Sequence, residues 1–191
     1  MSSLAQQTVA MRRATRKQWT LKPQDLAVAL KLLLLRGEQI SYAALAKAMR
    51  LSPYEAHAAV QRLGAARLVV AGVEGHELAR GALKEFLVHG ARYAFPPVIG
   101  EPTIGVPTAH GAPPLDAHFA RGSDRPPVWP HPHGSVRGNV LLPLYPKLPE
   151  AALDDPALYE LLALFDALRI GQARERRLAV ELIEDRLSKG D

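Results

Sequence analysis

The chain of 191 residues contains no cysteine, which excludes disulfides and thiolate metal sites and agrees with a reducing compartment. It also lacks long hydrophobic runs: a stretch such as Leu32 to Leu35 falls far short of the roughly 20 residues that a membrane helix needs. No apolar segment of signal-peptide type precedes the N-terminal arginines, so the expectation is a cytoplasmic protein with no membrane partner. None of the phosphate-loop, dinucleotide, nucleophile-elbow or zinc-protease patterns (G-x-x-x-x-G-K-[ST], G-x-G-x-x-G, G-x-S-x-G, H-E-x-x-H) occurs. With those missing, no catalytic constellation stands out, and the expectation is a protein that is not an enzyme and uses no cofactor.

Acidic residues are scarce in one part only. Residues 1–70 hold eleven Lys/Arg against three Asp/Glu, a net of +8, whereas residues 151–191 hold six against nine, a net of −3. The whole chain carries +5. A polyanion is therefore expected to meet the N-terminal part. Hydrophobic content of 48% and charged content of 23% are ordinary for a folded chain, and the length allows one or two domains with a real core.

Residues 1–19 read as a basic arm in which Arg12, Arg13, Arg16 and Lys17 cluster before Trp19. A first helix is expected from Pro23 to Arg36, ended by Gly37, with Leu26, Ala29, Leu30 and Leu33 on its core face. Leu32, Leu34 and Leu35 widen that face beyond one stripe, so either the rest of the chain or a second subunit must cover it. Ser41 caps a second helix running through Leu45 and Ala48. Ser52, with Pro53 after it and Glu55 three residues on, opens a third in a capping box. Leu68, Val69 and Val70 follow as a strand, Gly72 to Gly75 as a turn, and His76 to Leu78 as a short return strand. A further helix is expected from Ala79, burying Leu83, Phe86 and Leu87 and stopping at Gly90.

Helix, tight turn, helix and strand outline a winged helix-turn-helix, a shape that offers a helix to a DNA major groove. On the third helix Ala56, Ala59, Val60 and Leu63 fall at core spacing. Tyr54, His57, Ala58 and Gln61 then share the opposite face, flanked by Arg62. These residue types bond base edges or phosphates, and Ala58 permits close approach. Ser41, Tyr42, Ser52 and Pro53 sit at helix starts, where backbone N–H groups favour phosphate.

The segment SYAALAKAMRLSPYEAHAAVQRLGAARLVV resembles the winged helix-turn-helix transcription regulators, broadly the MarR-like and Rrf2-like groups. "LSP" enters the recognition helix and "RLGAARLVV" passes into the wing strand. The resemblance covers about a third of the chain. It implies a dimeric operator-binding protein whose wing touches the DNA backbone or minor groove. The chain departs from that pattern in one respect: Val69 to Ala79 contains no Lys or Arg. The Arg12–Lys17 arm is the expected substitute for wing contacts.

Beyond residue 95 the texture changes. Thirteen of the sixteen prolines and six glycines lie between Pro96 and Glu150, which rules out a regular helix and makes poor central strands. Phe119, Trp129 and Tyr145 give this stretch something to bury, so an ordered, extended segment packed across the two helical parts is expected. A helix capped by Asp155 and started by Pro156 then puts Leu158, Leu161, Leu162, Phe165 and Leu168 on one side. A last helix follows over 172–187, with Ala179, Val180, Ile183 and Leu187 apolar. His131-Pro132-His133, with Asp116 and His118 upstream, is the one metal-like grouping. Alternate residues of an extended chain point to opposite sides, so no metal is expected there.

The fold class expected is mainly α: an arm over 1–19, a winged helix-turn-helix over 20–95, an extended Pro/Gly-rich segment over 96–150, and C-terminal helices over 151–191. The function expected is sequence-specific binding of double-stranded DNA by a homodimeric regulator, most simply a repressor. Its dimer contacts would come from the Leu30–Leu35 run and the Ala179–Leu187 face. The alternative is a protein-interaction module, an antitoxin or adaptor subunit, that takes a protein partner through the Pro-rich segment and uses its helix-turn-helix for autoregulation.

Overall fold

A computed structural model describes residues 19–72, 75–119 and 125–188. The chain is mixed and mostly helical, with two small sheets. Helix α1 spans Pro23–Leu34, and the Asp25 carboxylate accepts the Lys22 backbone N–H at 2.8 Å to close its first turn. Helices α2 (Tyr42–Ala48) and α3 (Pro53–Ala65) each begin on the serine that the sequence indicates. Both end in the same way. Arg50 and Arg67 turn left-handed at φ 53° and 58°, which lets Leu51 N–H reach the Ala46 carbonyl at 2.9 Å and Leu68 N–H reach the Leu63 carbonyl at 3.0 Å.

Strands β1 (Val69–Gly72) and β2 (Gly75–Leu78) form an antiparallel hairpin with Val69 opposite Leu78. Helix α4 (Arg80–Glu85) runs on through a π-helical turn at Phe86–Gly90 into a short helix α5, Ala91–Ala94. The expected stop at Gly90 is corrected: the π turn absorbs the glycine and the chain continues helically. Phe86 is half-buried against Phe95, with ring centroids 6.1 Å apart, rather than part of the inner core.

The proline-rich segment folds on itself. Strands β3 (Ile99–Pro107), β4 (Pro127–Pro130) and β5 (Val136–Leu141) each pair with the other two, closing a three-stranded barrel. The prolines are tolerated because of where they stand: Pro102 lies in the register shift between Gly100 and Thr103, and Pro107, Pro127 and Pro130 sit at strand ends. So tight a closure needs glycine. A Cβ at Gly105 would lie 2.1 Å from the Trp129 carbonyl oxygen, and one at Gly138 would lie 2.1 Å from that of Pro126.

Helices α6 (Leu148–Leu153), α7 (Pro156–Ile170) and α8 (Ala173–Ser188) complete the chain. Asp155 caps α7 by accepting the Leu158 N–H at 3.1 Å. Helix α7 is buried on nearly every side, taking in Ala163, Leu164 and Ala167 as well as the expected leucines, and packs against α1, α6 and α8. A barrel of three short strands is marginal alone, and Asp166 on α7 anchors this one. Its carboxylate, 2% exposed, accepts the Thr108 hydroxyl and the Trp129 Nε1–H, each at 2.7 Å, and two bonds from Arg169. The segment also bridges to the first region, because the Tyr145 hydroxyl donates to the Met49 carbonyl at 2.7 Å.

The surfaces expected to hold a dimer are covered within the chain. Leu30 and Leu33 are buried, Leu32 and Leu34 pack against the core, and Ala179, Ile183 and Leu187 are buried. Among the described residues no helix is long and apolar enough to cross a membrane.

Candidate nucleic-acid interface

Helix α3 carries its apolar residues inward as its period predicts, since Ala56, Ala59, Val60 and Leu63 are all buried. Tyr54 stands out at 80% exposure, His57 and Gln61 are exposed, and Ala58 is half-buried. The four share the outward face that their spacing predicts. Pro53, at the start of the helix, is exposed as well.

Arg62 does not belong to this face, and its expected DNA contact is corrected. It is only 8% exposed and forms a two-pronged bond to Asp25 of α1, Nε to Oδ2 and Nη2 to Oδ1, both at 2.6 Å. At 100° per residue Arg62 lies beside the polar stripe but turned toward α1, where the buried Asp25 carboxylate holds it. The bond to Asp25 pushes its pKa further up.

The helix starts differ in what they offer. Ser41 caps α2 by accepting the Ala44 N–H at 3.1 Å, and no acidic side chain lies in that first turn. At α3 the Ser52 Oγ accepts the Glu55 N–H at 3.2 Å, while Glu55 Oε2 accepts the Ser52 N–H at 2.9 Å. The Ser52 N–H and the Ser52 hydroxyl, which donates to the same Oε2 at 2.8 Å, hold the Glu55 carboxyl below its usual range, aided by the charges of Lys22 and Lys147. An anionic carboxylate therefore already occupies the α3 start, which removes the reason to expect a phosphate at Ser52.

Tyr42, half-buried at the start of α2, links three elements. Its ring meets His57 of α3 edge-on at 4.9 Å and lies 6.5 Å from the His76 ring on β2. The hairpin is thus joined to the outward face of α3 through His76, the one basic-type residue between Val69 and Ala79. Sequence spacing alone does not reveal this, because the contact is made across the hairpin. Lys147 beside Glu55 was missed for the same reason, being remote in the chain.

The basic excess of the first region is partly consumed inside the molecule. Lys31 pairs with Asp155 at 2.7 Å, Arg50 with Asp154, and Arg62 with Asp25. Lys22, Arg36, Lys47 and Arg67 stay exposed without an ion pair among the described residues. Arg12, Arg13, Arg16 and Lys17 lie outside the described residues.

His131 and His133 are closer than an extended chain would place them. Gly134 N–H reaches the His131 carbonyl at 3.0 Å, and the resulting turn brings the two rings to 5.7 Å. Among the described residues, however, no group of three or more potential metal ligands gathers there or elsewhere. Neither a family model, nor a curated protein, nor a solved structure matches this chain.

Proposed function

We propose that the protein is a sequence-specific DNA-binding transcription regulator, a cytoplasmic, non-enzymatic repressor whose first region acts as a winged helix-turn-helix. Helix α3 would enter the major groove. The observation that carries this reading is the outward face of α3: Tyr54, His57 and Gln61 exposed on one stripe, free of acidic residues, and continuous with α2 and the hairpin through Tyr42 and His76. Ser41 and Lys47 on α2 supply phosphate contacts, and the Arg12–Lys17 arm adds backbone or minor-groove contacts. His76 takes the place of the missing wing cation.

One α3 reads one half-site, so the proposal includes a homodimer on a two-fold operator, joined through surfaces other than the Leu30–Leu34 and Ala179–Leu187 faces that the fold covers. Sedimentation at micromolar concentration tests that part, and a monomer both with and without DNA contradicts it. For the reading as a whole, the test is a mobility shift with the DNA upstream of the protein's own gene. A discrete shift that unrelated duplex does not compete away is expected; its absence defeats the reading.

A second reading, a protein-interaction module of antitoxin or adaptor type, is favoured by one observation. Val98, Ile99 and Leu142 are exposed at the end of the barrel where Leu142 N–H bonds the Val98 carbonyl at 2.9 Å. Co-purification of a neighbouring gene's product, without a DNA shift, would favour it.

A further inference from the structure

The C-terminal end of α1 meets α4, α7 and α8 around a cavity of about 180 Å³. Leu33, Leu34 and Ala157 make one side of it aliphatic. Three guanidinium side chains, Arg36, Arg80 and Arg186, border it against a single carboxylate, Glu160. Two of the arginines have bonds within the fold. Arg186 donates to the Leu182 carbonyl at 3.2 Å and pairs with Glu160, and Arg80 donates to the Leu187 carbonyl at 3.1 Å. Arg80 thus engages the carbonyl end of α8, where a cation is favourable.

Arg36 has no such occupation. Its backbone N–H reaches the Leu33 carbonyl at 3.3 Å, but among the described residues its guanidinium makes no hydrogen bond or ion pair. Arg36 sits at φ 50°, a left-handed conformation unfavourable for a residue with a Cβ, although Gly37 is its neighbour. Glu160 is already paired with Arg186. The unmatched charge at the cavity is therefore that of Arg36 and Arg80, each with N–H groups to spare.

We infer that this cavity binds a short aliphatic carboxylate, with the carboxylate held between Arg36 and Arg80 and the alkyl chain laid on Leu33, Leu34 and Ala157. Guanidinium presents paired donors that match the two oxygens of a carboxylate. A cavity near 150 Å³ accommodates a benzene-sized body, so the tail that fits has about four to six carbons. The walls belong to helices from both ends of the chain, and a bound ligand stabilises their packing. The cavity lies apart from the outward face of α3, so its binding does not depend on whether α3 reads DNA.

The test is the thermal midpoint of the full chain across a series of sodium pentanoate concentrations, beside sodium acetate and sodium chloride at equal ionic strength. A saturable rise with pentanoate, a smaller one with acetate, and none specific to chloride are expected. Arg36→Gly separates binding from structure. Glycine relieves the left-handed conformation, so the ligand-free variant should melt no lower than the parent, while its pentanoate response falls by half or more. A lower ligand-free midpoint with the response intact makes Arg36 structural and overturns the site, as does a pentanoate rise no larger than that of chloride.

Discussion

Two buried carboxylates, one in each half of the molecule, hold their surroundings by different means. Asp25 works close to home: it caps its own helix at Lys22 and binds Arg62, joining α1 to α3 within one helical cluster. Asp166 works at long range, gathering Thr108 and Trp129 from the barrel and Arg169 from its own helix. The helices of the first region are specified locally by caps and apolar spacing, and the ion pair fixes how two of them cross. The barrel has little local specification, since its short, proline-bounded strands acquire a unique place only through the α7 hub. The contrast teaches that the first region can tolerate loss of its polar lock better than the second.

The sharpest way to break that contrast is Asp166→Ala, which leaves the Thr108 hydroxyl, the Trp129 N–H and the Arg169 guanidinium buried without their acceptor. A loss of about 5 kcal/mol is expected from stranded donors of this kind, read as a fall in the denaturant midpoint. Near-ultraviolet signals from the buried Trp129 should be lost before far-ultraviolet helicity. A loss under about 1 kcal/mol would show that the barrel holds itself.

Arg62→Met comes next. It strands Asp25, which is 0% exposed, and should cost about 3 kcal/mol, whereas the double change Asp25→Leu with Arg62→Met should recover most of it. If the double variant is as unstable as the single one, the pair is more than a lock between α1 and α3.

Two tyrosines bridge the regions to the barrel segment and give a pH signature of smaller size. Burial, with Asp116 nearby, pushes Tyr159 up to about 12 as its hydroxyl donates to the Pro107 carbonyl, and burial raises Tyr145 as well. The folded state favours the neutral phenols. Their contribution is therefore complete below the ordinary tyrosine value near 10 and lost as pH climbs through the raised one. Thermal midpoints should hold from pH 8 to about 10 and then drop, and Tyr159→Phe should flatten part of that drop. A midpoint unchanged up to pH 12 would contradict the burial of both hydroxyls.

The smallest effect expected is a gain. Arg67→Gly removes a Cβ from a left-handed helix end and should stabilise by about 0.5–1 kcal/mol in chemical denaturation, because the exposed Arg67 side chain makes no hydrogen bond or ion pair among the described residues. A destabilised variant would mean that the side chain carries a contact of its own.

Much of the first region is legible in the sequence because its signals are local. Ser41 and Ser52 with Glu55 cap where their spacing predicts, as Asp155 does in the C-terminal part, and the α3 stripe follows from its period. Arg62 is misread for a physical reason: periodicity places a residue on a face but does not announce a buried partner thirty-seven positions away. The barrel is illegible because its pairings join distant short strands and depend on glycine packing that has no sequence period. The cover over the Leu32–Leu35 surface is hidden in the same way, being supplied by helices remote in the chain.

Helix α3 as a reading helix is tested most directly by an equilibrium titration of labelled duplex over a range of salt concentrations. DNA from upstream of the protein's own gene should bind far more tightly than a scrambled duplex, with affinity falling steeply as salt rises. Gln61→Ala should erode the preference between the two duplexes while keeping the salt slope, as expected of a base contact rather than a phosphate contact. Equal affinity for both duplexes, or an affinity indifferent to salt, would contradict the central claim.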